Sequence, residues 1–135
     1  MGKDAPEYRS TQYIHTMINI SSSLASSILL KLQRIHRCID LAFVFKGEGE
    51  VHLKVIEAEE CISDALVEAT FASKHHLPEC RSEAIANVLK SLEMADGAIT
   101  EALSVISEWH PAGGAIANLR AGRKAIIELH SSITK

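Results

Sequence analysis

The sequence predicts an all-α protein, an antiparallel up-down-up-down four-helix bundle, and three observations predict it. Apolar residues recur in alternating steps of three and four through four separate stretches, the repeat of a helix with one buried stripe. Aliphatic residues and alanine supply most of the 47% hydrophobic content while aromatics make up only 4%, which favours helices over strands. Glycine and proline fall at the breaks between the stretches and hardly elsewhere. At 135 residues the chain suits a single domain that buries most of its apolar surface without cross-links.

The first element is expected near residues 12–46, after a flexible tail over 1–11, with the bundle occupying 12–135. Ile14, Met17, Leu24, Ile28, Ile35, Cys38, Ala42 and Phe45 share one heptad frame. Serines over 21–27 make this helix the least regular of the four, and its continuity there is left open. KGEGE at 46–50 then breaks the chain. Val51, Val55, Ala58, Ile62, Ala65, Ala69 and Ala72 define the second helix, expected at 50–74. The third, at 78–109, opens on Pro78 and carries Ile85, Val88, Leu92, Ala95, Ile99, Ala102, Ile106 and Trp109. HPAGG at 110–114 ends it. The last, at 115–133, follows Ala115, Leu119, Gly122, Ile126, Leu129 and Ile133. Short corners between long helices make neighbours antiparallel. The stretches 56–66 and 92–103 also resemble one another, as a duplicated helical hairpin or shared heptad patterning would make them.

Charge is distributed by helix. Residues 31–46 sum to +3, 47–73 to −6, 91–108 to −4 and 109–135 to +3, within a chain of net charge −3. Basic outer helices beside acidic inner ones would set the pairing within the bundle, or would leave a basic face for an acidic partner. Nucleic acid is disfavoured by the acidic balance and scarce aromatics; its only route would be Arg34, Arg37, Arg120, Arg123 and Lys124. No apolar run is long enough to span a membrane, and no secretory leader is read at the N-terminus. Three cysteines, an odd number, fit reduced thiols and a cytoplasmic location.

Chemistry is thinly marked. KHHLPECRSE at 74–83 groups two histidines with a cysteine, and His76, Cys80 and Cys61 are the residues a zinc site would use. Pro78 interrupts the register between His76 and Cys80 and no second doublet completes a shell, so no metal is expected. Cys80 sits where a helix dipole favours thiolate, but no base with an orienting partner accompanies it. The carboxylates Glu57, Glu60 and Asp64 lack the Glu-x-x-His companions of a di-iron bundle. No cofactor motif occurs.

Arg123 and His130 lie seven apart on the last helix, with six residues between them. This pair is similar to the arginine–histidine signature of HEPN-type ribonucleases, which are dimeric helical bundles. That resemblance implies RNA cleavage by Arg123 and His130, although Lys124 stands where a small polar residue is usual. The stretch 61–103, with Val88-Leu-Lys-Ser-Leu-Glu93, resembles in pattern only the four-helix intervening-sequence and retroelement accessory proteins associated with RNA, and flagellar export chaperones share the helical plan. The expectation from the residues is a non-catalytic interaction module, an adaptor, chaperone or regulatory subunit with an unknown protein partner. The alternative is the ribonuclease or RNA-associated reading. Apolar residues overflow the heptad seams, so a homo-oligomer is expected, with Leu41, Phe43 and Val44 as its anchors.

Overall fold

The computed structural model describes residues 20–42, 49–106 and 113–135. All secondary structure among them is helical, with no strand: α1 Ser22–Asp40, α2 Glu50–Lys74, α3 Pro78–Val105 and α4 Gly113–Thr134. No helix among the described residues is long and apolar enough to cross a membrane.

The described first helix begins at Ser22, and the expected start near residue 12 lies outside the described residues. Ser21 is extended, at φ −77° and ψ 161°, and its side chain accepts a hydrogen bond from the Leu24 amide. A serine at this position satisfies an amide that the helix itself leaves unpaired, so Ser21 caps the start of α1. Leu41 closes the helix and Ala42 is buried. Phe43 and Val44 lie outside the described residues, as do the tail over 1–11 and the third helix's expected end at Trp109.

The second helix starts on Gly49, whose φ of 61° and ψ of −123° suit glycine far better than residues with a side chain. The corner into α3 is held by an arginine. Arg81 donates from Nε to the Ile20 carbonyl at 2.6 Å and from Nη1 to the His75 carbonyl at 2.9 Å. Ser22 donates to the Ser73 carbonyl at 3.1 Å. The start of α1, the end of α2 and the start of α3 are thereby joined. Pro78 opens α3, where its missing amide hydrogen costs nothing.

One continuous core runs through all four helices. The most extensive packing joins α2 to α3, followed by α1 with α2, then α4 with α3 and with α1. The α2 seam is small: Ala58, Ala65, Ala69 and Ala72 are all fully buried. Across the core, α3 buries Ala84, Ile85, Val88, Leu89, Leu92, Ala95, Ala98, Ile99 and Ala102. This is wider than a single heptad seam, because α3 packs against α2, α4 and, more weakly, α1. At the α1–α4 contact a Cβ built on Gly122 would lie 3.4 Å from the Cys38 Cβ and 3.8 Å from the Ile39 Cγ1.

Two outcomes test this packing by thermal unfolding. Ile62 and Leu92 are fully buried, so Ile62→Ala or Leu92→Ala is expected to cost about 2–5 kcal/mol. Gly97 is exposed within α3 and has open space around its Cβ direction. Gly97→Ala should therefore stabilise the protein by up to about 1 kcal/mol and raise Tm.

Candidate functional site

The groove between α3 and α4 gathers several charged side chains. Glu93 and Asp96 lie one turn apart on α3 and face α4. His130 Nε2 is 2.7 Å from Glu93 Oε2, and Arg123 Nε donates to Asp96 Oδ1 at 2.8 Å. Between Arg123 and His130, at one helical turn from each, Ile127 is 44% exposed. The groove divides around this isoleucine. One part, about 310 Å³, is lined by Glu93, Asp96, His130 and Thr134 over Leu92 and Ile126. The other, about 500 Å³, is lined by Leu103, Arg120, Arg123, Lys124 and Glu128. Arg123 and His130 therefore do share a face, and each is engaged by a carboxylate of α3.

A carboxylate within hydrogen-bond distance of an imidazole fixes the ring's orientation, the arrangement that general bases use. The same two contacts also tie the basic last helix to the acidic third helix. The sequence supplied Arg123 and His130 but not their partners. Glu93 and Asp96 sit beside the α3 seam at Leu92 and Ala95, and only the helix order shows that they meet α4.

The histidines and cysteine of the α2–α3 corner remain apart. The His75 ring stacks on His76 at 5.4 Å between centroids and touches Phe71 at 4.8 Å. His75 Nδ1 accepts from the Leu77 amide at 3.2 Å, so this ring caps a turn. His76 is exposed, Cys80 is half-buried, and Cys61 is buried three turns back along α2. These three are not brought into one cluster. Three possible ligand atoms do approach within 4.8 Å at His36, Asp40 and Glu59, a group the spacing of α1 alone could not reveal. There the ring is shared: Nδ1 is 3.4 Å from Asp40 and Nε2 is 3.7 Å from Glu59. Its two nitrogens are turned to different carboxylates, so the imidazole sits between Asp40 of α1 and Glu59 of α2.

Two groups among the described residues are shifted electrostatically. Burial pushes the Cys61 thiol up, and Glu57, Asp64 and Glu60 add to this by disfavouring a thiolate nearby. The hydrogen bond to Glu101, at 2.6 Å, holds the exposed Lys54 ammonium above the usual lysine value.

No family model, curated protein or solved structure matches this chain.

Cys61 gives a direct chemical test. Its folded pKa is raised, so its contribution to stability is present below the unfolded pKa and is lost as pH rises through the folded value. Alkylation with iodoacetamide at pH 8, read by peptide mass spectrometry, should modify Cys38 and Cys80 well before Cys61.

Proposed function

We propose that the chain is a non-catalytic helical interaction module, an adaptor or regulatory subunit acting in the cytoplasm through helix faces and self-association. Its architecture in this reading is an antiparallel up-down-up-down bundle. Paired contacts support that topology: between α1 and α2, Ser22 meets Ser73 and His36 meets Glu59. Between α2 and α3, Lys54 meets Glu101 and Glu68 meets Asn87. Between α3 and α4, Asp96 meets Arg123 and Glu93 meets His130. In each case one helix ascends while its neighbour descends.

The observation that carries the functional reading is apolar surface left in solvent on well-formed helices. Leu30, Leu53 and Val67 are 59, 65 and 69% exposed, and Leu41 is 58% exposed beside the unplaced anchors Phe43 and Val44. Leaving such side chains in water forgoes burial worth about 1.5–3 kcal/mol each, and a partner surface recovers it.

A ribonuclease-like reading keeps one specific observation in its favour, the Glu93-oriented His130 beside Arg123 in a groove. A single variant separates the two. The purified protein is expected to leave single-stranded RNA intact, with His130→Ala indistinguishable from it. RNA cleavage that disappears in a folded His130→Ala protein, judged by circular dichroism, would overturn the module reading. Affinity capture from the native host is expected to retain a stoichiometric protein partner.

A further inference from the structure

Six of the ten large apolar side chains that stand exposed among the described residues belong to α1, its cap and α2: Leu24, Leu30, Leu41, Leu53, Val67 and Phe71. On α1, Leu30, Arg34, Arg37 and Leu41 follow at steps of four, three and four, and all are exposed. They lie opposite the buried stripe of Ile28, Leu32, Ile35 and Ile39. On α2, Leu53, Glu60, Asp64 and Val67 form the corresponding outer stripe, also fully in solvent. Each stripe is thus a pair of charges bracketed by aliphatic side chains. The charges are basic on α1 and acidic on α2.

These charges are unspent among the described residues. The acidic α3 and basic α4 satisfy each other through Asp96–Arg123 and Glu93–His130. Arg34, Arg37, Glu60 and Asp64, by contrast, make no ion pair among the described residues. They point away from the core, so the complementary faces of α1 and α2 cannot reach one another inside one molecule.

We infer that the occupant of this surface is a second copy of the chain, docked through a twofold axis parallel to α1 and α2. The inference deepens the module reading and rests on it for the view that these faces are interaction surfaces. Within the chain the contacts Ser22–Ser73 and His36–Glu59 join residues whose numbers both sum to 95. A twofold parallel to the helices keeps each residue at its own height and sets α1 of one copy over α2 of the other. The same register then holds between chains. Arg37 faces the turn of α2 that carries Glu60, Arg34 the turn from Glu60 to Asp64, and Leu41 faces Leu53. Leu30 lies within a turn of Val67. Every basic pair meets an acidic pair, and this happens twice, as an isologous interface requires. Stacking α1 on α1 instead would oppose arginines and is disfavoured. The 19 residues of α1 span about 28 Å. Two helices of that length side by side present on the order of 600 Å² in projection, close to the about 800 Å² per partner of a standard interface.

Charge reversal decides it. One variant is Arg34→Glu with Arg37→Glu; the other is Glu60→Arg with Asp64→Arg. All four positions are exposed, and circular dichroism should show both variants folded. Wild type at about 100 µM is expected to scatter light as a species of twice 14.7 kDa. Each variant alone should dissociate with a Kd raised roughly a hundredfold or more, since like charges then meet at two symmetric places. An equimolar mixture of the two should return to the dimer mass, because both contacts in the mixed pair are again complementary. Three results would overturn the inference: a wild type that stays at the mass of one chain, a dimer indifferent to either reversal, or two monomeric variants that remain monomeric when mixed. A monomeric wild type removes this dimer and leaves the module reading to its own capture experiment. RNA cleavage lost with His130 removes the module reading and leaves the dimer intact.

Discussion

The structure depends on the close approach of α2 and α3. Alanines at 58, 65, 69 and 72 contribute little volume each, so the seam stabilises only if the two backbones come near enough for many small contacts to accumulate. The chain arranges this through the corner at 75–77, where no glycine is used and no residue is spare. His75 is extended, Leu77 caps α3, and Pro78 enters the next helix with its backbone angle already set. Arg81 then links two carbonyls from different segments, so the corner and the start of α1 are fixed together. The large aliphatics sit where the seam widens, Ile62 on α2 and Ile85, Leu89, Leu92 and Ile99 on α3, all fully buried. With that pair formed, α1 and α4 have an apolar trough to lie on.

The fold class and the helix seams were legible because period and burial coincide. Every α2 position in the heptad series, from Val51 to Ala72, is buried, and so is every α3 position from Ile85 to Ala102. The start of α1 was not legible from period, since Ile14 and Met17 continue the same frame across Ser21. Capping, a local hydrogen bond, decides the boundary there, and spacing carries no trace of it. The candidate groove was half legible. Arg123 and His130 announce a shared face by their separation, but Glu93 and Asp96 gain meaning only from the neighbour their helix meets. At the corner, adjacent histidines and a nearby cysteine look like ligands, but the proline between them had already argued against a shared site. The ring of His75 serves an amide, and Arg81, next to Cys80, is committed to carbonyls.

Charge divides the molecule into two halves with different accounts. Between α3 and α4 opposite charges are aimed at each other and close the groove edges. These are contacts of part-exposed groups, each worth at most about 1 kcal/mol, so they select the pairing more than they hold it. Between α1 and α2 the link is the shared ring of His36, while Arg34, Arg37, Glu60 and Asp64 are exposed. A chain that needed only to fold could have placed Arg34 and Arg37 on the flank that meets α2, where Glu59 already lies. It places them on the far side, next to leucines.

That placement has a physical consequence for specificity. Exposed leucines alone would invite any apolar surface, including the edges of other unfolded chains. Arginines between them make docking conditional, because burying a guanidinium without a carboxylate costs more than the leucines return. A surface that offers two carboxylates one turn apart, with aliphatics at the ends, is the outer face of α2. Selectivity in this arrangement comes from the cost of the wrong partner, with the apolar contacts supplying affinity to whichever partner meets the charge condition. The same logic explains why the core carries no such device. It contains no buried side-chain polar atom without a hydrogen-bond partner among the described residues, and its specificity comes from shape, through alanine where helices touch and isoleucine or leucine where they part.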